Sequence, residues 1–187
     1  MAPVYVLDAC VLYPVVVRDL LLTLATLDAF EPRWTAEIIG EMTRNVLADH
    51  PGIDPARFDD RVVGAMRNAF PDAWVSGYEH LIDDMDNHPK DRHVAAAAVH
   101  VSVAAVVTYN VRDFVSERLR LSNIEVITPS GLVESLVRDA PSVVGLSIRA
   151  MSARKKRPPM SPVEVVTAIT RQQGFRSLED SMRDLVD

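Results

Sequence analysis

Residues 104–114 read Ala-Ala-Val-Val-Thr-Tyr-Asn-Val-Arg-Asp-Phe and join an apolar run to a polar turn. The small and β-branched residues of the segment 104–108 predict a strand that is buried on both faces. The strand ends in the hydroxyl of Thr108, and the turn after it adds the amide of Asn110 and the carboxylate of Asp113. Taken alone, such a turn is equally well explained as an Asx-type turn that caps the next helix.

A second buried strand is predicted at residues 4–7, where Val-Tyr-Val-Leu runs directly into Asp8. Shorter apolar runs predict further strands at 74–78 and 124–127, and the segments between them carry apolar residues at helical spacing. Strands that alternate with helices predict an α/β fold with a central parallel sheet and helices on both of its faces. In such sheets ligands bind beyond the carboxyl ends of the strands, where Asp8 and the turn at 108–113 both lie.

Two more carboxylates lie on predicted helices. Thr35 is a plausible N-cap for a helix that carries Glu41 beside its apolar stripe. Asp91 precedes the alanine run 95–98 and stands where the N-cap of that helix is expected. Taken singly, Glu41 fits a surface residue, Asp91 fits a helix cap, and nearby His93 fits a surface or hydrogen-bonded histidine better than a metal ligand.

The polar residues form a series in a fixed order along the chain: Asp8, Glu41, Asp91, Thr108, Asn110 and Asp113. This series resembles the PIN-domain family and, within it, the VapC-like toxins of bacterial toxin–antitoxin pairs. The resemblance covers about residues 3–138. It implies a three-layer α/β/α PIN-like domain and a Mg²⁺- or Mn²⁺-dependent endoribonuclease, which hydrolyses RNA phosphodiester bonds.

The resemblance also implies a role for each residue of the series. Asp8 and Asp113 are expected to bind the metal directly, and Asp91 either directly or through water. Glu41 is expected to orient or deprotonate the attacking water. Thr108 would support the acidic cluster by hydrogen bonding.

Two positions depart from the pattern of the family. Asn110 falls where many members carry another aspartate, and Cys10 replaces a small polar residue that often follows the first acid. The chemistry of the carboxylates agrees with a metal site independently of the family. Carboxylates that converge without cationic partners repel one another, and a hard divalent cation with oxygen ligands relieves that repulsion. A bound metal can also lower the pKa of a water molecule that attacks the phosphate.

The resemblance implies three partners: an RNA substrate, a cognate antitoxin that covers the acidic site, and a second copy of the chain in a homodimer. Two alternatives remain open. The first is a catalytically silent PIN-like module that binds RNA or protein, and the second is an RNA-maturation nuclease with no role as a toxin. The same site would serve the toxin and the maturation nuclease, so only gene context or growth arrest separates them.

Charge divides the 187-residue chain unevenly. The net charge is −6, but residues 141–187 carry +3 and residues 1–140 carry −9. We therefore predict a nuclease domain at 1–140 and a helical C-terminal extension at 141–187. The basic run 154–157 either binds RNA backbone or is a solvated linker. The short amphipathic helices after it cannot be stable alone, so they must dock on the main domain, a second subunit or a partner.

Composition excludes several other classes of protein. Cys10 is the only cysteine, so no internal disulfide can form. The N-terminus lacks the basic region of a signal peptide, and no apolar run approaches the roughly 20 residues that cross a bilayer. The sequence contains neither a glycine-rich phosphate loop nor a G-x-S-x-G motif. We therefore expect a cytoplasmic protein without a membrane segment.

Overall fold

The computed structural model describes residues 2–186. Within them, five parallel strands form one sheet in the order β3-β2-β1-β4-β5. The strands are β1 (Val4–Leu7), β2 (Glu31–Thr35), β3 (Trp74–Val75), β4 (Ala105–Val107) and β5 (Glu125–Ile127). The predicted α/β class with an all-parallel central sheet is confirmed.

The α-helices run between and after the strands. They are α1 (Ala9–Leu12), α2 (Val15–Thr26), α3 (Ala36–Asp49), α4 (Pro55–Phe58), α5 (Gly64–Ala69), α6 (Arg92–His100), α7 (Glu117–Leu121), α8 (Pro129–Asp139), α9 (Pro141–Arg154), α10 (Pro162–Thr170) and α11 (Glu179–Arg183). A π-helical segment joins α4 to α5, and 3₁₀ turns lie at Pro71–Ala73, Glu79–Asp84, Pro89–Asp91, Val111–Phe114 and Arg176–Leu178. No helix in the described part of the chain is both long and apolar enough to cross a bilayer.

The second strand along the chain is not where the sequence predicts it. Residues 74–75 form the third strand, at one edge of the sheet, and the second strand is β2, which the sequence analysis missed. Pro32 is the reason, since a proline within a run argues against a central strand. Strand β3 pairs only with Trp34 and Thr35. Pro32 therefore lies in the half of β2 that β3 does not cover, where the missing amide is tolerated.

The strand order defines where the connections cross the sheet. From β1 to β3 the chain moves toward one edge, and from β4 to β5 it moves toward the other. Because parallel crossovers are right-handed, this reversal places α3–α5 and α7 on opposite faces of the sheet. The result is the predicted three-layer arrangement, and the reversal falls between the neighbouring strands β1 and β4.

Contacts divide the chain into two compact units. The first consists of Pro3–Tyr13 and Glu31–Ile127 and contains the sheet. The second consists of Pro14–Phe30 and the residues from Thr128 onward, so it groups α2 with α8–α11. A boundary between a nuclease domain at 1–140 and an extension at 141–187 stays a prediction.

The second unit has a helical core of its own. Helix α9 packs on α2, α8 and α10, and α11 packs on α10. Val166, Ile169, Phe175 and Met182 are fully buried there. Helix α10 begins with a capping box, in which the Ser161 amide donates to Glu164 Oε2 at 2.7 Å and the Glu164 amide donates back to Ser161 Oγ at 3.3 Å.

Candidate active site

Asp8 and Thr108 lie side by side at the carboxyl ends of β1 and β4. The two strands pair through Leu7 and Val107, so the next residue of each strand emerges at the same edge. The Thr108 hydroxyl donates a hydrogen bond of 2.7 Å to Asp8 Oδ2, and Asp8 is 3% exposed. The backbone N–H of Asn110 donates to Thr108 Oγ1 at 3.0 Å, and this bond orients the hydroxyl. Thr108 therefore fixes the position of a buried carboxylate, as the sequence predicts.

Cys10 is a second donor to the same carboxylate. Its thiol lies 3.1 Å from Asp8 Oδ2, and its sulfur accepts the Tyr109 amide at 3.3 Å. Burial, followed by the charge of Asp8, raises the pKa of Cys10 to about 12. The thiol is therefore neutral at physiological pH, so it acts as a hydrogen-bond donor and not as a nucleophile. It fills the position where the family resemblance calls for a small polar residue.

Asp91 lies buried at the start of α6, but it does not cap the helix through its side chain. Burial raises the pKa of Asp91, and the nearby charges of Asp8 and Asp113 raise it further. Lys90 and His88 oppose this shift, and His88 Nδ1 lies 3.6 Å from Asp91 Oδ2. The helix-cap reading of Asp91 is thus wrong for its side chain. Its carboxylate instead belongs to an electrostatically repulsive group of three.

Asp113 is held by the 3₁₀ turn Val111–Phe114. Its amide donates to the Asn110 carbonyl at 2.8 Å, and its carbonyl accepts the His88 amide at 2.9 Å. The latter bond ties this turn to the segment that leads into Asp91. Phe114 is buried and anchors the far side of the turn.

The alternative interpretation of this turn, in which Asp113 caps the next helix, is wrong. The helix is α7, which begins at Glu117 and is capped by Ser116, whose Oγ accepts the Leu119 amide at 3.1 Å. Asp86 binds the Glu117 amide at 2.9 Å and so gives α7 a second cap. The Asp113 side chain is therefore not used as a cap and stays with Asp8 and Asp91.

Glu41 lies on α3, whose N-terminus is capped by Thr35 as predicted, with a bond of 3.1 Å from the Ile38 amide. Its carboxylate is 3.7 Å from His93 Nε2. Among residues 2–186, no hydrogen bond or ion pair joins Glu41 to Asp8, Asp91 or Asp113. The charges of Asp8 and Asp113 thus act on Asp91, the Thr108 hydroxyl binds Asp8, and Glu41 lies in a separate contact with His93. Asn110 contributes its backbone, while its side chain is exposed.

His93 forms a link that the sequence analysis did not predict. The ring is 5% exposed and lies between two glutamates of α3, with Nδ1 3.6 Å from Glu37 Oε2 and Nε2 3.7 Å from Glu41 Oε1. Neither ring nitrogen has a hydrogen-bond partner in the described part of the chain. The signal in the sequence was the spacing of Glu37 and Glu41, which are four residues apart and share one helix face.

The donor set has the chemistry that suits a hard divalent cation. Asp8 and Asp113 are near enough to raise the pKa of Asp91, and no lysine or arginine of the described residues forms an ion pair with any of these three carboxylates. Both hydrogen bonds to the Asp8 side chain fall on Oδ2. Within residues 2–186, however, no three His, Cys, Asp or Glu side chains are grouped closely enough to hold a metal ion as they stand. The residues fit Mg²⁺ or Mn²⁺ by charge and ligand type, with water completing the coordination.

Fold and site together define a parallel α/β protein with an acidic group at the point where its strand order reverses. Comparison adds a relative from Mycobacterium tuberculosis strain H37Rv, described as "Putative ribonuclease VapC50", which is 30% identical over 105 residues. The match covers 56% of this chain and 62% of the relative. No protein-family model and no solved structure gives a significant match.

Proposed function

We propose that this protein is a metal-dependent endoribonuclease of the PIN-domain family. The observation that carries the proposal is that the charges of Asp8 and Asp113 both act on the buried carboxylate of Asp91, without a lysine or arginine paired to any of the three among the described residues. Burial and mutual repulsion raise the pKa of Asp91 there. Such an arrangement costs stability, and a repulsive carboxylate group in a fold that needs none is typical of a functional site.

Each residue of the site has a chemical task in this proposal. Asp8, Asp91 and Asp113 would hold Mg²⁺ or Mn²⁺, and the bound ion would lower the pKa of water and neutralise charge on the phosphate. Thr108 and Cys10 keep Asp8 in place through their bonds to Oδ2. Glu41 would orient or deprotonate the attacking water, and His93 Nε2 lies 3.7 Å from its carboxylate. The backbone N–H of Asn110 orients the Thr108 hydroxyl.

The biological setting belongs to the same proposal. The relative in Mycobacterium tuberculosis carries the VapC name, and the site residues of this chain follow the order of the VapC-like toxins. We therefore infer that the protein is the toxin of a type II toxin–antitoxin pair. Its substrate would be RNA in the cytoplasm, and its partners would be a second copy of the chain and a cognate antitoxin.

The test is cleavage of a labelled total-RNA pool by purified protein in Mg²⁺ or Mn²⁺, in EDTA, and with the variant Asp8→Asn. The asparagine can still accept the Thr108 hydrogen bond, so the fold should survive while a metal ligand loses its charge. We expect cleavage only with metal and a loss of at least about 100-fold in the variant, the scale that perturbing a metal site commonly costs. Asp83→Asn, at an exposed position outside the site, is the matched control.

Two results would overturn the proposal. Equal cleavage by Asp8→Asn would show that the activity comes from another site or a contaminant. No cleavage in either metal by folded, partner-free protein would favour the silent RNA- or protein-binding module. Expression in cells separates a toxin from an RNA-maturation nuclease. Growth arrest that Asp8→Asn abolishes indicates a toxin, and normal growth indicates a maturation nuclease.

A further inference from the structure

The second unit contains a cavity of about 620 Å³ that the proposed nuclease chemistry does not use. It is lined by residues of α2, α9 and α10 and by the segment that joins α9 to α10. Most of its wall is apolar, and the side chains that form it are Val16, Met151, Met160, Val165 and Ala168. The cavity is therefore suited to receive apolar groups.

Four consecutive cations border this apolar space, from Arg154 to Arg157. Arg154 Nη2 lies 2.8 Å from Asp19 Oδ1, and Lys155 Nζ lies 3.2 Å from Asp19 Oδ2. Lys156 and Arg157 are exposed, and neither forms an ion pair with any described residue. Asp19 thus pairs with two of the four positive charges, and the other two have no ion-pair partner among the described residues.

We infer that this cavity is a docking site for an acidic and apolar peptide segment of a partner protein. An apolar side chain of the segment fills the space next to Met151 and Ala168. Aspartate or glutamate residues on either side of it pair with Lys156 and Arg157. Carboxylates form strong charge-assisted hydrogen bonds with ammonium and guanidinium groups, and these bonds fix the register of the segment.

The lining favours a peptide over RNA. Proteins that hold single-stranded RNA stack its bases on aromatic side chains, and the residues that line this cavity include none. The apolar wall offers few partners for a ribose or a phosphate, so RNA would use only the basic border. The inference is independent of the proposed nuclease, because the cavity shares no residue with the acidic site.

The experiment is selection of a displayed library of random twelve-residue peptides against the full chain. Enriched peptides are then synthesised with a fluorescent label, and their affinity is measured by anisotropy. The test variant combines Lys156→Glu with Arg157→Glu. Its matched control combines Arg171→Glu with Arg176→Glu, which makes the same charge change at exposed positions of the second unit outside the cavity. Ala168→Met narrows the cavity, and its thermal unfolding midpoint reports whether the fold is kept.

We expect enriched peptides to combine large apolar residues with at least two acids. Their affinity should fall about tenfold or more in the Lys156–Arg157 double variant, since hydrogen bonds to charged groups are lost, and remain unchanged in the control. It should also fall in a folded Ala168→Met variant. Absence of enrichment, or equal binding to the double variant and the wild type, overturns the inference. Binding of labelled oligouridine that the double variant abolishes, with no peptide enriched, also overturns it and identifies an RNA site.

Discussion

At Asp91 the arrangement that suits the proposed function lowers the stability of the fold. Its side chain makes no capping bond, and its pKa is raised by burial and by Asp8 and Asp113. The folded state therefore binds the proton of Asp91 more tightly than the unfolded state does. The contribution of Asp91 to the free energy of unfolding is therefore greatest at low pH. It falls as the pH rises from the ordinary pKa of aspartate through the raised pKa of the folded state.

Asp91→Asn should therefore raise the free energy of unfolding at pH 7 without added metal. We expect a gain on the order of 1 kcal/mol, or roughly 2–4 °C in the thermal midpoint of a chain of this size. The gain should disappear below about pH 4, where both states of the wild type are protonated. Thermal unfolding across this pH range measures it, with Asp83→Asn as the exposed control. A variant less stable than the wild type at pH 7 would contradict the repulsion.

Cys10 gives a second prediction at the scale of one residue. Because its pKa is about 12, the thiolate, which is the form that attacks iodoacetamide and displaces its iodide, is rare at ordinary pH. We expect labelling of the folded protein at pH 8 to be at least about 100-fold slower than labelling of unfolded protein, whose thiol has a pKa near 8.5. Mass spectrometry measures the rate. Labelling at the same rate in both states would show that Cys10 is not held as a buried donor to Asp8.

Helix α3 carries Glu41, and its N-terminal cap, Thr35, stabilises the fold. Thr35 is fully buried, caps the helix and lies six residues before Glu41. Thr35→Val keeps the shape of the side chain but leaves the Ile38 amide without its partner. We expect a loss of about 1–2 kcal/mol in the free energy of unfolding, measured with denaturant. Thr43→Val in the same helix is the control and should cost less than about 0.5 kcal/mol, as substitutions away from special contacts usually do.

At the scale of elements, the sequence predicts best where the local pattern and the fold agree. Residues 4–7 and 104–108 are apolar runs that end in a polar residue, and both became neighbouring buried strands. Strand β2 escaped prediction because Pro32 and two charged residues contradict the pattern of a central strand. Its place depends on pairing with β1, which is a long-range contact that no local pattern contains.

In the candidate site, too, some features follow from local sequence patterns and others depend on long-range contacts. Asp8, Thr108 and Asp113 were predictable because each follows a strand at one edge of a parallel sheet. The burial of His93 between Glu37 and Glu41 was not predictable, since it requires α3 and α6 to meet through side chains far apart in sequence. The bond of Cys10 to Asp8 was not predictable either, because it depends on helix α1. This helix has only four residues, too few for a pattern that predicts a helix.

At the scale of the whole molecule, the C-terminal helices are part of a core. Removal of residues 162–187 would expose the faces of α9 and α2 on which α10 packs. We therefore expect the truncated chain to lose several kcal/mol and to aggregate, as core deletions of this size do. Size-exclusion chromatography and calorimetry measure the outcome. Ser161→Ala, which removes only the cap of α10, should cost about 1 kcal/mol and leave the protein monodisperse.

The central position of β1 has a consequence for the order in which the chain is made. Strand β1 leaves the ribosome first among the strands, yet its neighbour β4 begins only at Ala105. Until then strand β1 lacks one of its two neighbouring strands, and Asp8 lacks the Thr108 hydroxyl that holds it. Chains elongate at about 5–20 residues per second, so the roughly hundred residues in between take 5 to 20 seconds to appear. The charges of Asp8 and Asp113 can therefore act together on Asp91 only after β4 and the turn that follows it have been made.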